Sequence, residues 1–165
     1  MRRSLILAAT ALALTLGLGL VGVPAAGADP SPLTSSVDKI YAHPGDTVTL
    51  TVTFTNHQTV PVTFSYLSVN PIYATWSSDV EFAMTSCTGE IDACWFGQPE
   101  PLAAFIHPTS PIAPGDSRTA TITYEIDAES PCGHYIGFFF YIYRESSAGA
   151  VADVPDGPDT MVECS

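Results

Sequence analysis

The chain reads as an all-β protein, an immunoglobulin-like antiparallel β-sandwich of about seven or eight strands carrying two disulfides. Three observations point there. Apolar residues alternate with period two in Thr47–Thr55 and again in Thr119–Ile126, the spacing that places one set of side chains on a core and the other in water. Turn chemistry precedes both stretches, as His43-Pro-Gly-Asp46 and Pro114-Gly-Asp116. No segment of useful length after residue 28 shows a helical period.

In chain order, Arg2 and Arg3 followed by the apolar run Leu5 to Val23 and the small residues Ala26-Gly27-Ala28 predict a cleaved export signal over residues 1–28. A membrane anchor is the rival reading, and Gly17, Gly19, Gly22 and Pro24 argue against it. Residues 29–36, rich in Pro and Ser, are expected to be a flexible lead-in, and residues 37–165 a single sandwich domain. Val37 to Tyr41 is a short first strand. Val48, Leu50, Val52 and Phe54 point inward from the next strand, and its threonines face out. Asn56-His-Gln-Thr59 then turns the chain into a partner strand, Val60 to Val69, with Val62, Phe64 and Tyr66 on one side. Residues 70–111 hold several prolines and both tryptophans, and yield only short candidate strands at Val80–Met84 and Leu102–Ile106. Ala120, Ile122, Tyr124 and Ile126 face inward from the following strand. Residues 145–158 read as a Ser/Gly/Asp/Pro-rich loop, and Thr160 to Cys164 as a last short strand.

Composition removes several classes of function. The 165-residue chain has a formal charge of −12, and loss of the signal leaves only Lys39, Arg118 and Arg144 against 17 acids. Such a surface repels phosphate, which excludes nucleic acid as a partner and disfavours anionic lipid. The four cysteines of an exported chain are expected to pair. Cys87 and Cys94 are near in sequence and would staple a local loop. Cys132 and Cys164 would lie opposite one another if the last strand returns through a turn near Ala148. No C-x-x-C spacing supports zinc. No Gly-x-Ser-x-Gly setting supports a hydrolase, so the protein is expected not to be an enzyme and to need no cofactor. His43 and His134 fall toward one end and His57 toward the other. Asp153, Asp156 and Asp159, like Glu90 with Asp92, lack the spacing of a calcium loop.

The segment Cys132–Tyr143 raises the functional question. One face of that strand would show Tyr135, Gly137, Phe139, Tyr141 and Tyr143, the other Ile136, Phe138, Phe140 and Ile142. Both sets are apolar, so the second face needs a cover. Either residues 70–111 fold over it, or it forms an exposed patch together with Tyr73, Trp76, Trp95 or Phe96. Rings with polar tips suit sugar faces and protein interfaces.

The patterns Pro44-Gly-Asp-Thr-Val-Thr-Leu-Thr-Val-Thr-Phe-Thr-Asn56, Ile112-Ala-Pro-Gly-Asp116 with Thr119-Ala-Thr-Ile-Thr, and Cys132-Gly-His-Tyr-Ile-Gly resemble bacterial extracellular Ig-like domains. These include domains appended to glycoside hydrolases and surface domains associated with WxL proteins. The resemblance covers roughly residues 37–142 and implies a spacer, adhesion module or wall-associated binder. The resulting expectation is a secreted, extracellular, non-enzymatic binding protein. Its partner would be a protein or glycan on a cell surface or matrix, met through Tyr73, Trp76, Trp95, Phe96, Phe139, Tyr141 and Tyr143. It would not insert in a membrane after signal cleavage. The rivals are a small-molecule carrier with an apolar cleft lined by Phe138, Phe140 or Trp95, and a weak Cu²⁺ or Ca²⁺ binder.

Overall fold

The computed structural model describes residues 31–164; the expected signal, residues 1–28, lies outside them. Among the described residues, eleven strands form two packed sheets, accompanied by one short helix. The smaller sheet has the order β1 (Leu33–Val37), β3 (Thr47–Thr55), β8 (Ser117–Ile126), β5 (Phe82–Gly89). The larger runs β2 (Tyr41–Ala42), β11 (Asp156–Val162), β9 (His134–Ser146), β4 (Val62–Pro71), β7 (Ala104–Pro108), β6 (Ile91–Phe96). A further strand, β10 (Gly149–Asp153), pairs with the second half of β9. Helix α1 (Tyr73–Trp76) follows β4. All strand pairs are antiparallel except β2 with β11.

The core lies between the sheets and is made by the alternation the sequence shows. Val48, Leu50, Val52 and Phe54 of β3 meet Ala120, Ile122, Tyr124 and Ile126 of β8 from one side. Ile136, Phe138, Phe140 and Ile142 of β9 close the other and are buried. Burying each of these β9 side chains contributes about 1.5–3 kcal/mol before ordering costs. Tyr124 reaches across and its hydroxyl is 2.7 Å from Thr160 Oγ1, so the one inward-facing tyrosine has its polar tip satisfied.

Four expectations are corrected. Residues 33–36 are not a lead-in: they belong to β1, which pairs with β3 from Leu33↔Phe54 to Val37↔Leu50. Leu33, buried, anchors that strand. Second, β3 and β4 are not hairpin partners, since β3 pairs with β1 and β8 and β4 with β7 and β9. Asn56 holds the crossing: buried at the end of β3, it donates to the carbonyls of Val60 (3.0 Å) and Ile112 (2.9 Å) and accepts from Gln58 N. Third, Val62 does not share a face with Phe64 and Tyr66. The register of β4 on β9 shifts between Val62 and Phe64, so a bulge at Thr63 leaves Val62 inside and sends both rings out. Fourth, residues 145–158 are mostly strand: the chain turns after Ser146 and returns along β9 as β10 and β11.

Both Pro-Gly-Asp turns form, with Gly45 and Gly115 at φ of +88° and +81°, a region where a side chain would clash. Both expected disulfides are present. Cys132–Cys164 joins the start of β9 to the chain just past β11, and Cys87–Cys94 joins β5 to β6, an edge of each sheet. The second is thus a clip between the two sheets, not a staple within one loop.

Candidate aromatic binding face

The register of the larger sheet arranges its outward side chains in rows. Trp95, Phe105, Ser68 and Tyr141 lie across β6, β7, β4 and β9 in one row, through the pairs Trp95↔Phe105, Ser68↔Phe105 and Ser68↔Tyr141. The next row carries Ala93, His107, Tyr66 and Tyr143, through Ala93↔His107 and Tyr66↔Tyr143. Phe64 follows on β4. Ring centroids connect the set: Trp95 to His107 at 5.3 Å, Trp95 to Phe105 at 5.9 Å, Tyr66 to His107 at 5.6 Å. Tyr66 to Tyr141 at 6.4 Å and Phe64 to Tyr143 at 6.3 Å complete it. These are the separations at which aromatic pairs attract, so the rings hold one another in place.

The face is open. Trp95 is 43% exposed, Phe64 38% and Tyr141 37%, while Tyr66, Phe105, His107 and Tyr143 are half-buried among them. Residues 70–111 do not fold over this face as a lid. Instead β6 and β7 extend the sheet sideways and add Trp95, Phe105 and His107 to the same surface. Cover is confined to the far end of β9, where the Ile72 side chain and the Asp159 carboxylate fill the space outside Gly137. There Thr75, buried, accepts from Gly137 N (2.9 Å) and so continues the pairing that β4 leaves at Pro71.

The polar tips are donors. Tyr143 Oη donates to Glu145 Oε1 (2.6 Å), and that accepting carboxylate holds the Tyr143 hydroxyl above its ordinary range. Partial burial raises the Tyr66 hydroxyl as well. Both stay protonated well past neutral pH; the Tyr143 proton is engaged by Glu145, and the Tyr66 hydroxyl keeps its own to offer a partner.

Of the residues the sequence nominates, Trp95, Tyr141 and Tyr143 lie together on this face. Phe139 sits one position further along β9, paired with Asn70. Tyr73 (84% exposed) and Trp76 (58%) are on α1, beside the face. Phe96 is corrected: it packs against the core, because Trp95 and Phe96 must take opposite sides of β6. Phe64, Tyr66, Phe105 and His107 were not nominated. The signal for the first two was the Thr63 bulge, which alternation alone does not reveal.

A groove of about 500 Å³ continues the face at one end. Asn70 and Phe139, a pair of the β4–β9 register, line it beside Gly97 and Ala103 at the two ends of the 97–103 loop, with Trp76 and Pro71 also in its wall. Between the sheets, in contrast, the cavity beside Val52, Phe54 and Leu67 measures only about 10 Å³. Phe138 and Phe140 are sealed in the core, so the apolar cleft that a carrier would need along them is absent from the described residues. Among the described residues no three His, Cys, Asp or Glu side chains are grouped to hold a metal ion. No helix among them is long and apolar enough to cross a membrane.

No protein-family model and no curated protein sequence matches the chain. Solved structures do. The sixth cohesin of Acetivibrio cellulolyticus scaffoldin B, solved in complex with a Cel5 dockerin, aligns with a TM-score of 0.56 at 12% identity, covering 81% of this chain and all of that one. A membrane-anchored protein from Corynebacterium diphtheriae aligns at 0.55 and 11%, covering 84% of this chain but 37% of that one. BcpA, the major pilin subunit of Bacillus cereus, aligns at 0.54 and 6%, covering 79% and 39%. The chain thus spans the whole of the cohesin module and less than half of the two longer proteins. Likeness at such low identity shows the fold alone, an Ig-like β-sandwich.

Proposed function

We propose that the protein is an extracellular, non-enzymatic binding module whose partner docks on the ring-bearing outer face of the larger sheet. The observation that carries this reading is the connected array of Phe64, Tyr66, Trp95, Phe105, His107, Tyr141 and Tyr143, exposed or half-buried across four strands. Monomeric soluble proteins rarely leave a contiguous apolar patch open unless something meets it. Rigid rings with polar tips are the side chains that carry most contact energy at interfaces, and they lose little entropy on docking. Module-sized neighbours of the same fold include a cohesin solved with its dockerin, which supports a binding role for the architecture. An acidic chain with both disulfides formed suits the oxidising, extracellular setting.

The test is retention of surface-extracted proteins and arrayed glycans by the immobilised protein, beside its Trp95→Ala and Tyr141→Ser variants. Loss of a defined partner in both variants, with folding unchanged, is the expected result. Equal retention by all three proteins overturns the reading.

A further inference from the structure

Within that reading of the outer face, we infer that the groove at its end binds an uncharged, extended, β-linked polysaccharide chain. The register supplies the shape. Gly97, just past β6, donates its N–H to the carbonyl of Ala103, just before β7 (2.9 Å), and Asn70 on β4 pairs with Phe139 on β9, so a low strip about 14 Å long at the usual strand spacing runs across this end of the sheet. Trp76 and Phe139 are the rings that line the groove, and the row of Trp95, Phe105 and Tyr141 is the next one along the sheet. A flat ribbon laid along this strip meets the rings of Trp76 and Phe139.

The chemistry of the lining selects the ligand class. Ten residues line the groove and only one, Glu100, is charged. The other polar side-chain groups are the Trp76 indole N–H, a donor, and the amides of Asn70 and Gln98, which both donate and accept, as vicinal sugar hydroxyls do. Asn70 gives one proton to Ser68 Oγ (2.9 Å) and has its carbonyl oxygen and second proton left for the groove. No Lys or Arg lines the groove. Arg118 is tied to the carbonyls of Thr109, Ser117 and Pro111, Arg144 to Asp153, and Lys39 to Asp46. An anionic polymer therefore finds no counter-charge and meets a chain of formal charge −12. The same repulsion disfavours a second copy of this chain as the occupant. An uncharged polyhydroxylated chain avoids both costs.

The experiment titrates the whole protein with cellohexaose, mannohexaose and chitohexaose, following tryptophan fluorescence, beside maltohexaose, oligogalacturonate and oligolysine. Saturable binding of at least one β-linked hexasaccharide, weakened about tenfold or more in Trp76→Ala and in Asn70→Ala, is expected. Unchanged melting temperatures would show that these exposed-groove variants still fold. Absence of binding by all three β-linked sugars overturns the inference, as does binding of maltohexaose, oligogalacturonate or oligolysine alone, or wild-type affinity in both variants. If no sugar binds while a protein partner still depends on Trp95 and Tyr141, the groove assignment fails and the binding face stands. If sugar binding depends on Trp76 and Asn70 but not on Trp95 or Tyr141, the groove stands and the wider face falls.

Discussion

The outer face of the smaller sheet is paved with hydroxyls, whereas that of the larger carries rings. On the first, Ser36, Thr51, Thr121 and Thr88 form one row across four strands, and Thr34, Thr53 and Thr119 another. Thr53 and Thr119 hydroxyls are 3.0 Å apart, and Thr55 and Ser117 2.9 Å. Threonine favours the extended backbone, and its hydroxyl is satisfied by a neighbour or by water, so that face is complete as it stands. The second face has the same strand geometry but leaves Trp95, Tyr141 and Phe64 partly open to solvent. Cross-strand ring pairs return only about 0.2–1 kcal/mol each, which threonine pairs also supply in part. Folding alone does not distinguish the two choices. The proposed contact with a partner would.

That contrast can be broken or sharpened by stability measurements. The largest effect is expected from Cys132→Ser with Cys164→Ser, which releases the ring-bearing sheet from the chain end; it should lower unfolding free energy by about 3–4 kcal/mol in urea titrations. Opening Cys87–Cys94 should cost less, because the closed loop is shorter. Next, Gly137→Ala places a Cβ against the Asp159 carboxylate and within 2.9 Å of Ile72 Cδ1, and should cost about 1–3 kcal/mol. Tyr141→Ser, four residues along the same face, should cost at most about 1 kcal/mol, because nothing covers it. If Tyr141→Ser proved the more damaging, the ring face would be structural.

Tyr124 tests the inward-facing ring against the outward ones. Burial holds its hydroxyl far above the ordinary range, outweighing the bond to Thr160 that favours ionisation. The raised folded value means its contribution is fully present below the unfolded value, about 10, and declines as pH rises past it. Chemical denaturation across alkaline pH should show stability falling from about pH 10, with a shallower fall in Tyr124→Phe. At neutral pH that variant should lose about 1 kcal/mol with the hydrogen bond. Smallest of all, Thr53→Val with Thr119→Val should stay within about 0.5 kcal/mol and leave partner binding untouched.

Much of the fold was legible because the decisive residues are local. The bounds of β3 coincide with its Thr-alternating stretch, and both Pro-Gly-Asp turns act where the sequence places them. What alternation cannot carry is which sheet a strand joins. The 56–61 crossing depends on Asn56 reaching Ile112, a partner 56 residues away. Nor can it carry a bulge, so the single extra residue at Thr63 reversed the sides of Phe64 and Tyr66. For β6, the disulfide held the missing information. Once Cys94 turns inward to reach Cys87 on the other sheet, parity sends Trp95 out and Phe96 in. The aromatic face was therefore half readable: its β9 rings followed from one strand, and its β4 and β7 rings needed the register.

Hydroxyl-radical footprinting of the isolated protein tests the central claim most directly, since it reads ring by ring which side chains meet water. Oxidation of Trp95, Phe64 and Tyr141 should be fast, and oxidation of Phe138, Phe140 and Tyr124 slow. If the two sets were protected alike, the outer rings would be covered, and the account of a docking face would be contradicted.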